Sequence, residues 1–324
     1  MVNEGKLKEF RRLFVDKHNN TEIFSNFEKL QNSRTWLHRH KIIHKIYKRI
    51  LYGLIQRRFL YLTATIRVLP DFVIIGCQKC ATTSLYDYLV QHPNIAAATQ
   101  KEIHYFDSNY NIGINWYKSF FPTVFSKNSM KCAKQKFVTG EASPMYIFNP
   151  IVPKRMSKIL PNVKLIAILR NPIDRAYSHY SMQVKNGYEK LSFEEAINSE
   201  EKRISGEREK EEKDENYVSI NLRDYSYLSR GLYADQLKIW MNYFPKNQFL
   251  VLRTEDLENN PKHTMNQIFE FLEVPTYEIH ALKKMNVGKY SVMNTSTRKM
   301  LIDYFKMPNE QLNKLLNKNF DWDN

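Results

Sequence analysis

The order of apolar and polar positions changes character at Pro70. Downstream of it, Phe72-Val73-Ile74-Ile75-Gly76 is an unbroken apolar run ending in a loop, and a helical pattern follows from Thr83 to His92. Lys164-Leu165-Ile166-Ala167-Ile168-Leu169-Arg170 has the same form, with Asn171-Pro172 and a further helix after it. Asn247-Gln248-Phe249-Leu250-Val251-Leu252-Arg253 is a third such run, leading into an acidic turn and a helix starting near Pro261. Runs without polar alternation are strands buried on both faces. Their alternation with helices predicts an α/β fold, a central parallel sheet flanked by helices. Phe137-Val138-Thr139-Gly140 adds a fourth strand. Between the second and third runs, Glu200 to Glu215 carries almost no apolar residue, so it reads as a solvated insertion or a frayed helix.

Upstream of Pro70 the pattern is basic. Residues 1–60 hold 14 Lys or Arg and 5 Asp or Glu. From Trp36 to Leu51, Ile42, Ile43, Ile46, Ile50 and Leu51 form one stripe at helical spacing among basic residues. Such a helix lies on an anionic membrane or packs its stripe on the main domain, and both readings stay open at this stage. The first twenty residues lack the apolar centre of a secretory signal. Arg57, Arg58, Arg67, Pro70 and Asp71 break the stretch from Ile50 to Gly76, so no window reaches the ~18 apolar residues of a membrane span. The expected division is a basic, partly helical extension over 1–69 and one domain over 70–324. The expected location is cytoplasmic, with peripheral membrane contact through residues 36–60.

The chain has 324 residues, a formal charge of +15 and 43% hydrophobic residues, enough for a large core. The charge calls for an anionic partner without choosing among nucleotide, polyanion and membrane surface. Three cysteines, Cys77, Cys80 and Cys132, cannot build a disulfide framework. Cys77 and Cys80 form a C-x-x-C, but no second pair completes a zinc site. No His/Cys/Asp cluster has ligand spacing either, so no metal is expected.

Gly76-Cys77-Gln78-Lys79-Cys80-Ala81-Thr82-Thr83-Ser84 joins the first strand to its helix. A helix amino terminus offers unsatisfied N–H groups and partial positive charge to a phosphate. Lys79 adds a full charge, Thr82, Thr83 and Ser84 add hydroxyls, and small residues at Cys80 and Ala81 let a ligand approach. The ATPase loop GxxxxGK[ST] is not matched, since no Gly precedes this Lys.

The segment Phe72 to Leu85 resembles the 5′-phosphosulfate loop of sulfotransferases that use 3′-phosphoadenosine 5′-phosphosulfate (PAPS), with Ala81 where Gly is common. Leu169-Arg170-Asn171-Pro172-Ile173-Asp174-Arg175-Ala176-Tyr177-Ser178 is similar to the family's 3′-phosphate segment, which implies phosphate contacts from Arg170 and Ser178. An arginine at a strand end can present a two-pronged fork to such an anion. Gln100-Lys101-Glu102-Ile103-His104-Tyr105-Phe106-Asp107, with Gly113 to Tyr117, resembles the heparan-sulfate branch. There the resemblance implies Glu102 as general base, His104 as its support and Asp107 beside the substrate. On an extended segment Glu102 and His104 share one side. Gly288-Lys289-Tyr290 resembles the cofactor loop near the carboxyl end, which implies Lys289 and Tyr290 at PAPS. Arg230-Gly231 fits a stretch near the cleft, placing Arg230 at the substrate. Gly140-Glu141-Ala142-Ser143-Pro144 carries Ala142 where several glycan enzymes place Lys.

The resemblance covers residues 70–324 and implies a P-loop-like sulfotransferase fold. The implied reaction moves a sulfuryl group from PAPS to a hydroxyl or amine, with a glycan or a small metabolite as acceptor and no nucleic-acid partner. Two other classes stand beside it: a P-loop small-molecule kinase, and a basic membrane or nucleic-acid adapter resting on residues 1–60. The kinase needs an Mg²⁺-holding Ser/Thr after Gly-Lys and an Asp ending a strand, and neither is evident.

Overall fold

A computed structural model describes residues 59–131, 136–280 and 292–322, the side chains of 128–131 aside. Lys289, Tyr290, the expected basic helix from Trp36 to Leu51 and all but the last two residues of the segment 36–60 lie outside the described residues. The compact unit that holds the sheet begins at Leu60. Val68 N donates to Pro122 O at 3.0 Å, and Arg67 bridges to Thr123, so residues 67 and 68 belong to this unit.

Five parallel strands, β1 (Phe72–Gly76), β2 (Ile95–Ala97), β3 (Val138–Ala142), β4 (Lys164–Leu169) and β5 (Phe249–Arg253), form one sheet in the order β2-β3-β1-β4-β5. All five residues of β1 are buried, as a central strand covered on both faces requires. From β1 the chain runs out to β2 and β3 on one side, then crosses to β4 and β5 on the other. The crevice between the carboxyl ends of β1 and β4 is therefore the topological switch point, where open α/β sheets bind ligands.

The helices that frame this edge are α1 (Thr82–Leu89), α2 (Tyr105–Ser108), α3 (Ile151–Ile159), α4 (Pro172–Lys185), α5 (Glu200–Ile204), α6 (Glu207–Lys213), α7 (Ile220–Tyr225), α8 (Tyr233–Met241), α9 (Pro261–Leu272) and α10 (Thr295–Leu316). Helix α4 starts where expected: Pro172 occupies its first position and the Asn171 side chain accepts from Ile173 N at 3.0 Å. A second, smaller core joins α4 to α10 through Ile173, Ala176, Leu301 and Phe305. Gly231 lies against it so closely that a Cβ would come within 2.9 Å of Phe305 and Pro172.

Two expectations need correction. Glu200 to Glu215 is helical and mostly exposed, but it is not a surface excursion: α5 and α6 are anchored through Glu200 and Glu207, both buried. Their carboxylates are acceptors for neighbouring donors. Glu200 takes Leu228 N at 2.6 Å and Ser229 N at 2.8 Å, and Glu207 takes the Tyr217 hydroxyl at 2.8 Å. The residues before α2 are not extended either. Glu102 and His104 both have φ of +53°, so a tight left-handed path, not strand alternation, brings them together. Smaller differences are that β2 was not anticipated, α1 stops at Leu89, and the acidic turn after β5 is a short helix, Thr254–Asn259.

Candidate active site

Three corners follow the carboxyl ends of adjacent strands, in the order β3, β1, β4. Neighbouring strands lie roughly 4.8 Å apart, so the outer two corners are about 10 Å from each other at the sheet.

The middle corner is the loop from Gly76 to Ala81. Cys77 N donates to Ile168 O at 2.8 Å, and Thr254 Oγ1 donates to Cys80 O at 3.1 Å, which pins both ends. A Cβ at Gly76 would meet Ile147 Cγ2 at 2.3 Å, so only glycine lets the strand end this close to the 146–148 turn. Lys79 and Ala81 take left-handed φ values of +70° and +60°. Ala81 precedes α1 with no side-chain cap, so the first turn directs the amides of Thr82 and Thr83 toward an external acceptor. Thr82 and Ser84 are buried and Thr83 is half-buried.

The β4 corner is Arg170. Its carbonyl accepts from the Tyr233 hydroxyl at 2.9 Å, and Asn171 N donates to Glu255 Oε1 at 2.9 Å. Ser178 lies two turns into α4, buried beside His179. Burial first, then Arg230, Arg175 and Lys79, hold the His179 pKa well below its ordinary value, so this imidazole is neutral. Lys79 on the β1 loop is thus felt electrostatically on α4, the helix that follows Arg170. Among the described residues, neither Lys79 nor Arg170 has a carboxylate within ion-pair distance.

Behind them lie two arginines, Arg175 and Arg230, with relative exposures of 0% and 1%. Arg175 donates to Tyr227 O, while Arg175 Nε and Nη1 and Arg230 Nε have no hydrogen-bond partner among the described residues. Burial and then Arg175 push the Arg230 pKa down to about 9, which keeps it charged at neutral pH. A cluster of cations with unspent donors and no paired carboxylate is a receptor for a polyanion. The residues fit an adenosine bisphosphate carrying a sulfuryl group.

The β3 corner has the opposite character. Glu102 N donates to Ala142 O at 3.1 Å, placing Glu102 at the end of β3 with its carboxylate exposed. His104 Nε2 lies 3.8 Å from Glu102 Oε2, and Nδ1 lies 2.8 Å from Asp107 Oδ2. Burial opposes charge on this ring, but the bonds to Asp107 and Glu102 outweigh it and raise the pKa to about 10. Asp107 was expected at the substrate. Its side chain is only 8% exposed and turned to the imidazole, so it orients His104.

Arg230, also expected at the substrate, is turned inward: it donates to Leu222 O at 2.7 Å and Arg223 O at 3.1 Å, and reaches Gln78 Oε1 at 3.3 Å. It forms part of the wall of a cavity of about 70 Å³, which opens beside His104 and Asp107 and is closed by Phe148, Arg208, Glu211 and Leu222.

Sequence reasoning passed over Glu141, fully buried beneath this corner. It accepts from Tyr117 and Ser143 at 2.7 Å each and from Tyr146 at 3.3 Å, while Ser143 Oγ also accepts from His104 N. Burial raises its pKa despite these donors. The signal was the Gly-Glu-Ala-Ser-Pro stretch itself, where a carboxylate at the end of a buried strand must find hydroxyls.

The model of the sulfotransferase domain family matches residues 69–315. The chain belongs to the sulfotransferase family. This sulfotransferase is 31% identical over 321 residues to the membrane-associated sulfotransferase kil1 of Dictyostelium discoideum, a match covering 79% of this chain and 67% of that protein. It is 31% identical over 282 residues to the human bifunctional heparan sulfate N-deacetylase/N-sulfotransferase 3, covering 77% of this chain but 30% of that protein. A solved sulfotransferase from Alicyclobacillus acidocaldarius superposes with a TM-score of 0.60 at 28% identity, over 79% of this chain and 100% of that one. Among the described residues, no group of His, Cys, Asp and Glu could hold a metal ion, and no helix is long and apolar enough to cross a membrane.

Proposed function

We propose that this sulfotransferase moves the sulfuryl group of PAPS to a hydroxyl or amine of a carbohydrate acceptor. One observation carries the reading: Lys79 and Arg170 follow the ends of adjacent strands with, among the described residues, no carboxylate at ion-pair distance, while Glu102 and His104 lie at the end of the next strand on the same edge. PAPS supplies an activated sulfuryl group whose departure leaves adenosine 3′,5′-bisphosphate. Lys79 and the amides and hydroxyls of Thr82, Thr83 and Ser84 hold the 5′ end, with Cys80 and Ala81 as the small residues that let it approach. Arg170 and Ser178 hold the 3′-phosphate, and Lys289 and Tyr290 serve the same nucleotide.

Glu102 takes the proton of the acceptor. His104, cationic at neutral pH, cannot act as that base; it donates toward the acceptor oxygen or to Glu102. Donors placed in advance around developing charge supply most of the acceleration in such transfers. The acceptor docks beside His104. A carbohydrate is favoured by the Glu102–His104–Asp107 arrangement and by the heparan sulfate activity named for the bifunctional relatives. The basic segment over residues 36–60 holds the enzyme at an anionic membrane, a reading that the membrane association of the Dictyostelium relative supports.

Radiolabelled PAPS incubated with the protein and with panels of glycans and small hydroxylated or amine-bearing metabolites tests the reading. Label on a glycan is expected. Label on a small metabolite alone overturns the acceptor class, and Mg²⁺-dependent ATP turnover without sulfuryl transfer overturns the reaction.

A further inference from the structure

We propose that Cys77 and Cys80 are a redox-modifiable pair whose disulfide disables the nucleotide loop. The inference rests on reading the Gly76 to Ala81 loop as the cradle of the PAPS 5′ end. Within that loop Cys80 N donates to Cys77 O at 3.1 Å, a turn that brings the two Cα atoms within disulfide range. Both thiols are reduced and buried, Cys77 Sγ donating to Arg230 O at 4.0 Å and Cys80 Sγ to Gln78 O at 3.8 Å.

Their surroundings make them unequal. The bond from Cys80, followed by Arg175 and Arg230, holds the Cys77 thiol below its ordinary pKa against the opposing effect of burial. Burial pushes the Cys80 thiol up. Cys77 is therefore the attacking sulfur and Cys80 the resolving one, the division of labour that a C-x-x-C ahead of a helix supports.

Exposure of 1% and 0% admits only a small oxidant, and hydrogen peroxide is of that size. The Cys77 thiolate attacks one peroxide oxygen: an S–O bond forms, the O–O bond breaks, and hydroxide leaves a sulfenic acid. The Cys80 thiol gives up its proton as its sulfur attacks Cys77, an S–S bond forms, and the sulfenic oxygen departs as water. In total two thiols and one peroxide become one disulfide and two waters. A thiol reductant reverses the change.

Closing the bond draws the sulfurs to about 2.0 Å. The loop ends cannot follow, because Ile168 O holds Cys77 N and Thr254 holds Cys80 O, and Ile147 blocks movement at Gly76. The displacement falls on Gln78 and Lys79 between them, and Lys79 is turned from its place in the cleft. Bound nucleotide and the disulfide then oppose each other reciprocally.

The test titrates adenosine 3′,5′-bisphosphate into the full-length protein by calorimetry when reduced, after hydrogen peroxide, and after dithiothreitol. Peptide mapping by mass spectrometry locates any disulfide and separates Cys77–Cys80 from pairs with Cys132. The expected result is a Cys77–Cys80 bond, an affinity lower by about tenfold or more, and recovery on reduction. Saturating nucleotide should slow the oxidation, and in Cys77→Ser peroxide should leave the nucleotide affinity where it stood before treatment, whatever that starting affinity is. A reduced protein that binds while oxidation leaves these two thiols free, or joins them without changing affinity, overturns the inference alone. A reduced protein that ignores the nucleotide overturns the nucleotide reading, and this inference with it.

Discussion

The two sides of the cleft solve opposite electrostatic problems. At the β1 and β4 corners, Lys79 and Arg170 stand before the buried Arg175 and Arg230, and nitrogens of both buried arginines lack partners among the described residues. At the β3 corner, Glu102, His104, Asp107, Ser143 and Glu141 are joined in one chain of contacts, with Tyr117 and Tyr146 completing it. Buried charge without compensation is costly, so the first side is built for a ligand that brings the missing anion. The second side fixes its protonation states before any ligand arrives. The cation side should therefore govern nucleotide binding as well as rate, and the carboxylate side rate alone.

Glu102→Gln is the sharpest way to break that distinction. Loss of a positioned base costs roughly 10²- to 10⁴-fold, so turnover should collapse while calorimetric affinity for adenosine 3′,5′-bisphosphate stays as in the wild type. Unchanged turnover removes Glu102 from the chemistry. Lys79→Ala should lower kcat by about 10²- to 10³-fold, equivalent to roughly 3–4 kcal/mol, and should also weaken the nucleotide. Activity within about tenfold of wild type would refute its role at the transferred group.

A smaller effect, about tenfold on rate, is expected for Asp107→Asn, because Asp107 acts through His104. The variant should bring the imidazole pKa down from about 10 toward the ordinary value near 6.5, read by NMR titration. The sign of the linked stability follows. A raised folded pKa contributes stability that is fully present below about pH 6.5 and lost as pH rises through about 10. Wild-type protein should therefore lose stability over that window, and Asp107→Asn should flatten the loss. An unchanged His104 titration would mean that Asp107 does not set its charge.

How much of this could be read from residue order depends on what each feature needed. β1, β4 and β5 were legible because apolar strands buried on both faces have no other reading at that length. β2 was not, since Ile95–Ala97 has too few residues to show a period. Lys79 and Arg170 could be picked out as candidates because strand ends and helix starts are where phosphate binds. Arg175 carried the opposite signal, as a charged residue looks solvated until tertiary packing surrounds it, and Arg230 was placed near the cleft by resemblance with no sign of its burial. Glu200 and Glu207 failed for the same reason: an acidic run carries no mark of the amides and hydroxyls it will meet. Glu102 and His104 were paired correctly through an alternation that the backbone does not follow.

That last point yields the finest comparison of the two sides. Left-handed residues occur on both: Ala81 before α1, and Glu102 and His104 at the β3 corner. At Glu102 and His104 the strained backbone aims the side chains proposed for proton transfer and is tied down through Ala142 O and Ser143 Oγ. At Ala81 a half-buried methyl group rests on the edge of the main core but opposes a φ of +60°, a conformation that costs an L-residue roughly 1–2 kcal/mol. Glycine removes that cost and returns about 0.5–1 kcal/mol through its freer unfolded chain. Ala81→Gly should therefore gain up to about 1 kcal/mol and raise Tm by about 2–4 °C, with nucleotide affinity retained. The same change at Glu102 or His104 should abolish turnover whatever it does to stability. A lower Tm for Ala81→Gly would show that its methyl group packs usefully, and that the strain on the cation side is compensated locally as it is on the other.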